Sequence, residues 1–182
     1  MLFIPPIAPP PPTAILTATP GTSTELSHTH ISSPGTCAVL AHSTDSVGTL
    51  SAPIHIRLHD CKLSSAGKSI FFVTNAHAEI KLTDCRAGTP DSLLLRASEA
   101  TWGKPGFNAA TVQLRADNCQ LTGDIYAGPH CKVEFSLGPS TIWQGQFTGP
   151  GTHIIHRHPS SVWAKSVPQN TKITKKQQNS SF

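Results

Sequence analysis

The chain has 182 residues, of which only 13% are charged, with 16 Pro and 13 Gly, so one folded unit with loosely packed ends is expected. The formal net charge is +4, but no acidic residue follows Glu134, so the excess positive charge is a property of the C-terminal end and does not indicate nucleic-acid binding. No run of about 20 apolar residues is present, which excludes a transmembrane segment.

The two ends of the chain are predicted to be disordered. Residues 1–35 are dominated by Pro, Thr, Ser and Gly, which bury too little surface to offset the entropy of ordering. Within them, residues 1–15 lack a basic leader and are interrupted by prolines, so no signal peptide is predicted. Residues 36–166 alternate short apolar runs with polar punctuation, which predicts many short strands, and residues 167–182 form a basic, polar tail.

A repeat organises the central segment. Residues 56–63 read Ile-Arg-Leu-His-Asp-Cys-Lys-Leu, and residues 80–87 read Ile-Lys-Leu-Thr-Asp-Cys-Arg-Ala. Looser copies start at Val112 and Val133, and a second kind of strand follows each copy, as in residues 69–74. Intervals of 24, 32 and 21 residues, with an insertion at 99–108 in the longest, predict a solenoid of two short strands per unit.

Stacking of like on like sets the predicted interior. The first predicted ladder is Ile56, Ile80, Val112 and Val133, and the second is Leu58, Leu82, Leu114 and Phe135. Asp60, Asp84 and Asn118 share one turn position, where short polar side chains tolerate unusual φ and ψ. Residues 37–41 are predicted to be a strand of the second kind whose partner of the first kind is missing. The fold class is therefore all-β, a short right-handed parallel β-helix of about four to five coils with disordered termini.

Several segments resemble a known group of proteins. These are the Leu-rich residues 92–97, a Trp-Gly-x-x-Gly insertion that begins at Trp102, residues 120–125, and residues 140–145. They resemble the right-handed β-helix repeat proteins of microbial cell surfaces, including autotransporter passenger and adhesin-like regions, over about residues 37–165. The resemblance implies an extracellular or cell-surface protein that binds a glycan or a cell-surface protein. The chain differs in having cysteines at inward places that usually carry Val or Ala.

Five cysteines occur without a Cys-x-x-Cys pair, so their spacing does not fit a zinc finger. Cys61, Cys85 and Cys119 occupy one repeat position and are predicted to stack in one interior column as packed thiols. Parallel side chains on neighbouring strands are poorly arranged for a disulfide. The alternative is a disulfide that joins Cys131 to Cys37 or Cys119.

Candidate catalytic and metal-binding groups are few. Glu79 and Glu134 lie on one outward face, two coils and about 9 to 10 Å apart, with basic residues beside each, a mixed-sign pattern typical of a solvated sheet face. His153, His156 and His158 lack further ligands, so we expect surface histidines rather than a metal site. No cofactor is predicted.

The function that we favour from the sequence is a non-enzymatic binding or structural module. Its binding residues would be Arg57 and Lys81 on the outward sheet face, with Trp102 and Phe107 in the insertion. The alternative is a carbohydrate-active enzyme of the pectin lyase type or a decayed relative, and a third hypothesis is a segment of a longer repeat protein. The ends of a short solenoid also predict self-association unless the termini cover them.

Overall fold

The structure, a computed structural model, describes residues 13–17, 21–43, 52–89, 91–99 and 109–165. These ranges contain 18 strands and no helix. The strands form three parallel sheets, which confirms the all-β class and the parallel pairing. Consecutive strands visit the three sheets in a repeating order, an arrangement consistent with a parallel β-helix. The described part of the chain holds no helix long and apolar enough to span a membrane.

Each sheet has six strands. The first sheet consists of β1 (Thr13–Thr17), β4 (Cys37–His42), β7 (Ser69–Thr74), β10 (Leu93–Ala97), β13 (Asp124–Ala127) and β16 (Phe147–Thr148). The second consists of β2 (Ser23–Ser27), β5 (Ile54–His59), β8 (His77–Thr83), β11 (Thr111–Asp117), β14 (Lys132–Leu137) and β17 (Thr152–Arg157). The third consists of β3 (His30–Ser33), β6 (Lys62–Ser65), β9 (Arg86–Ala87), β12 (Gln120–Thr122), β15 (Ile142–Gln144) and β18 (Val162–Ala164).

We define a coil as one strand of the second sheet together with the strands of the third and first sheets that follow it. The described residues form six such coils, rather than the predicted four to five. Each complete coil has three strands, not two, because the short strand of the third sheet follows directly on the corner after the second sheet. Two to four residues are too few for alternation to be recognised as a separate strand. The strand β4 is preceded in its own coil by β2 and β3, so the strand of the first kind that the sequence suggested was missing is present.

The expected disorder of residues 1–35 does not hold for β1, β2 and β3. Strand β1 pairs with β4, and β2 and β3 pair with β5 and β6. In β2 a threonine, Thr24, takes the register position of Ile56, which hides the strand from a search for aliphatic alternation. Stacking on the next coil supplies the hydrogen bonds and the apolar contacts that the segment lacks alone. The rest of residues 1–20 and residues 166–182 lie outside the described residues.

Burial follows the sheet faces. In β5 and β8, residues that face inward are buried and the alternate residues face solvent or are half-buried, as a one-sided sheet requires. Strands β4 and β7 are buried along their whole length, in agreement with their continuous apolar sequences. Their inward side chains join the main core, while Leu40 and Phe72 pack with Cys37 in a second cluster.

The predicted ladders are wrong by two residues in the third and fourth copies. Val112 lies beside Ala78 and not beside Ile80, whose partner is Leu114. The observed ladders run Ile56, Ile80, Leu114, Phe135 and Leu58, Leu82, Ala116, Leu137. Inward parity survives because a two-residue shift returns each side chain to the same face. The shift arises ahead of β11, in the interval that also holds the insertion, because the spacing from Ile80 to Cys85 equals the spacing from Leu114 to Cys119.

The corner between the second and third sheets repeats with one backbone conformation. Positive φ angles between 48° and 56° occur at His28, Asp60, Asp84, Asn118 and Ser140. Asp and Asn adopt this left-handed region more readily than other non-glycine residues. The predicted common turn position of Asp60, Asp84 and Asn118 is confirmed, and the structure adds one further member on each side.

The sixth coil, the last that the structure describes, places polar groups in columns that are apolar in the coils before it. His153 continues the column of Val133, and Arg157 continues the column of Leu137. Two aromatic residues close the core beside them, since Trp163 stacks on Trp143 with ring centroids 5.2 Å apart. Polar side chains in these columns are the feature that solenoids use in capping repeats.

Candidate binding surface

The outward face of the second sheet carries a row of cations. Arg57, Lys81 and Arg115 are in register on β5, β8 and β11, and all three are exposed. Neighbouring strands lie about 4.8 Å apart, so the row spans about 10 Å along the stacking direction. We call these three residues the basic row.

Two of the three cations are already paired. The Arg57 Nη1 atom donates to Glu25 Oε1 at 2.9 Å on the preceding coil, and the Arg115 Nε atom donates to Asp117 Oδ2 at 3.0 Å on its own strand. The side chain of Lys81, between them, forms no ion pair or hydrogen bond with another described residue. The centre of the row is therefore the cation that remains available to an anionic group of a ligand.

The carboxylates Glu79 and Glu134 lie on the same face in the next row, separated by Gln113. Each contacts a histidine on an adjoining coil, because His55 lies 3.1 Å from Glu79 and His156 lies 3.1 Å from Glu134. The two-coil separation is the one expected from the sequence. Each carboxylate has a partner of its own, and no side chain joins the two into one acid–base unit.

Histidines also line the corner between the second and third sheets. The His28 Nδ1 atom is 2.7 Å from Asp60 Oδ2, and the His59 Nε2 atom is 3.2 Å from Asp84 Oδ2. The rings of His28 and His59 meet edge to face with centroids 5.6 Å apart. Each histidine therefore connects its coil to the next. The sequence showed only that histidine is abundant, because these pairs join residues 25 to 32 positions apart.

The C-terminal histidines do not converge. His156 contacts Glu134, His158 contacts the Ser160 hydroxyl at 2.8 Å, and His153 packs against Phe147. Across the ranges that the structure describes, no three His, Cys, Asp or Glu side chains are grouped as metal ligands.

All five cysteines are free and buried. Cys61, Cys85 and Cys119 lie in one column. The backbone N–H of the residue after each cysteine donates to the carbonyl of the residue in the same place one coil earlier, which is Thr29, Cys61 and Cys85 in turn. The column continues with Thr29, Thr141 and Ser161, so every coil places a thiol or hydroxyl there. The sequence signal was available in the residue that follows each left-handed corner residue.

The thiols in this column form hydrogen bonds and are not merely packed. The Cys85 thiol donates to the carbonyls of Leu58 and Thr83 at 3.4 and 3.2 Å. The Cys119 sulfur accepts the Cys85 backbone N–H at 3.4 Å and donates to the Asp117 carbonyl at 3.2 Å. Cysteine thiols occupy this corner in the second, third and fourth coils, and hydroxyls occupy it in the first, fifth and sixth.

The pKa values of four of the five thiols are raised, while the side-chain hydrogen bond with Cys119 lowers the pKa of Cys85 to about 6. Burial acts on Cys37, Cys61 and Cys131 in particular. It raises the pKa of Cys37 to about 11 and raises the pKa values of Cys61 and Cys131. The pKa of Cys119 is raised by its hydrogen bond with Cys85 and then by burial. Since the thiolate is the nucleophilic form, the raised pKa values of Cys37, Cys61, Cys119 and Cys131 favour a structural role for those four thiols.

The remaining predicted binding residues, Trp102 and Phe107, lie outside the described residues. The sequence analysis missed a second row of basic residues, on the third sheet, made of His30, Lys62 and Arg86. Its signal was the match of residues 28–35 with residues 60–67, which share Ser-Ser-x-Gly at the same offset. That match identifies the first coil, and with it the register of β3 on β6.

The chain was compared with known proteins at three levels. No protein-family model, no curated protein and no solved structure matches it.

Proposed function

We propose that the protein is a short right-handed parallel β-helix that acts as a non-enzymatic, adhesin-like binding module or structural scaffold at a cell surface or outside the cell. Three parallel sheets visited in a fixed order support the β-helix. Right-handedness follows from the strong preference of parallel crossover connections for that hand. The ligand we propose is a glycan or a cell-surface protein.

The basic row is the observation that carries the proposal. Successive coils present Arg57, Lys81 and Arg115 at the same register on a sheet face, and Lys81 has no described partner. A side chain on a strand held by neighbours on both sides is positioned more firmly than one on a loop. A repeated surface of this kind suits an extended ligand better than a small substrate, which usually binds in a concave pocket.

A carbohydrate-active enzyme is the second candidate, and one observation favours it. Two strand spacings separate Glu79 from Glu134, about 9.6 Å, close to the upper limit of about 9.5 Å between the two carboxyl groups of inverting glycosidases. Against it, His55 and His156 each engage one of the carboxylates. Gln113 lies between the two carboxylates, in the space that the attacking water would need.

The two candidates differ in whether polysaccharide is cleaved. We expect the purified protein to release no unsaturated or reducing product from polygalacturonate or other acidic glycans, with or without Ca²⁺. Turnover that is lost in Glu79→Gln or Glu134→Gln but kept in Glu25→Gln would establish the enzyme instead. Glu25 is the matched control because it is an exposed carboxylate on the same sheet face that lies in register with Arg57, outside the row that holds Glu79 and Glu134.

A further inference from the structure

The third sheet carries a separate cationic surface. His30, Lys62 and Arg86 lie in register on β3, β6 and β9, and all three are exposed. None of their side chains forms an ion pair or hydrogen bond with another residue that the structure describes. Like charges directly opposite each other on paired strands are destabilising. An anion between Lys62 and Arg86 would relieve that repulsion.

The nearest carboxylates are engaged elsewhere. Asp60 contacts His28, and Asp84 contacts both His59 and the Asn118 side-chain amide. These contacts hold the two carboxylates at the corner. A shallow groove runs between the corner and the row, lined by His28, Thr29, His30, Asp60, Cys61, Lys62, Asp84 and Arg86.

The row changes character along the stack. Beyond Arg86 its register positions are occupied by Gln120, then Ile142, then Val162. Ile142 and Val162 are exposed apolar side chains, 46% and 52% accessible. The cationic part is therefore confined to the first three coils, and it has a defined length of two strand spacings, about 10 Å.

We propose that His30, Lys62 and Arg86 form a docking site for a linear acidic polysaccharide that runs along the stacking direction, with its anionic groups over successive strands. The inference deepens the binding function proposed above and rests on it. Carboxylated and sulfated chains share the chemistry that the row recognises, a line of single anionic groups. Lys62 and Arg86 supply charge-assisted hydrogen bonds to them.

A nucleic acid fits the row less well. Duplex DNA carries one charge per roughly 1.7 Å of its axis, much denser than one cation per about 4.8 Å. Proteins that bind single strands combine a cationic groove with aromatic side chains on which the bases stack. No Phe, Tyr or Trp lines the groove beside this row.

The test uses the full chain and four probes: polygalacturonate, dextran sulfate, neutral dextran and a single-stranded oligonucleotide. Affinity is measured at two salt concentrations for the wild type and for the double variant Lys62→Gln/Arg86→Gln. The matched control is Lys68→Gln/Lys165→Gln, which removes the same charge from exposed residues away from the row. Circular dichroism of each variant establishes that it is folded.

We expect the wild type to bind at least one acidic polysaccharide, more weakly at high salt, and to bind neutral dextran much less. The Lys62→Gln/Arg86→Gln variant should bind roughly tenfold more weakly, since two exposed charge contacts are lost, while the control keeps most of the affinity. Equal loss in both double variants, no affinity for either acidic polysaccharide, or tighter binding of the oligonucleotide would overturn this site. None of those results involves cleavage, so the site and the non-enzymatic function fail on different measurements.

Discussion

The order of stability of the Ser and Ala variants should differ between two buried cysteines, Cys119 and Cys37. The Cys119 sulfur accepts a hydrogen bond from the backbone N–H of Cys85. That N–H forms no other hydrogen bond with a described residue. Replacement by Ala leaves that buried N–H without a partner, while Ser keeps an acceptor in place. A hydroxyl already fits this corner, because Thr141 on the next coil accepts the Cys119 backbone N–H at 3.3 Å and donates to the Ala116 carbonyl at 2.9 Å.

The size of the effect follows from the orphaned group. A buried donor left unsatisfied costs about 1–3 kcal/mol, so Cys119→Ala should lose about 2 kcal/mol of unfolding free energy. Cys119→Ser should lose less than about 1 kcal/mol, since the oxygen is a stronger acceptor than sulfur but fills less volume. Cys37 is the matched control, because it is fully buried and its thiol forms no hydrogen bond with a described residue. There Ser should be no more stable than Ala, because a buried hydroxyl without a partner is costly.

The four variants are compared by urea denaturation in a reducing buffer, followed by tryptophan fluorescence and by far-ultraviolet circular dichroism. Free energies are compared where the two probes give coincident transitions, and midpoints are compared otherwise, since stacked repeats do not always unfold in one step. A Ser variant that exceeds its Ala counterpart equally at both positions would refute the reasoning. So would a Cys119→Ala protein as stable as Cys119→Ser.

Three further predictions concern the end of the stack, the interior thiols and the corner. Replacing Arg157 by Leu and His153 by Val makes the last described coil apolar like its neighbours, so the variant should self-associate. A light-scattering mass equal to that of the wild type would contradict this prediction. Burial raises the pKa of Cys37 from 9.0 to about 11. The contribution of the protonated thiol to the free energy of unfolding should therefore be complete below about pH 9 and should fall by about 2–3 kcal/mol as the pH rises to about 11. In urea titrations at each pH, Cys37→Ala should lack that part of the alkaline loss. At the corner, where φ of Asp84 is 56°, Asp84→Gly should be tolerated, while Asp84→Val should lose about 1–2 kcal/mol or more of unfolding free energy. Equal thermal midpoints for the two variants would count against a required left-handed conformation.

Much of the architecture is legible from local pattern. The near-identical phrases that begin at Ile56 and Ile80 predict both the parallel stacking and the inward face, because alternation marks which side chains point to the core. The left-handed corner at Asp60 and Asp84 was also expected, since Asp tolerates that conformation. The polar first coil was missed, because Thr24 carries no aliphatic signal and its strand is stabilised by the coil above it and not by its own composition.

The candidate surfaces were less accessible to prediction. Arg57 and Lys81 were recognisable as outward residues from the repeat, but Arg115 joins their row only in the observed register, because the predicted alignment placed Gln113 there. The row of Lys62 and Arg86 depends on strands of two to four residues, which are too short to be identified by alternation.

The sequence by itself determined that the chain repeats, that its strands lie parallel, and which side chains face inward, since each of these follows from spacing and from a period of two. Only the tertiary structure decided which residue lies beside which across the insertion, because a shift of two residues leaves the inward face unchanged and only backbone hydrogen bonds between coils distinguish the alternatives. The charges that meet on the surface follow from that register, so the proposed ligand sites were decided by the tertiary structure as well.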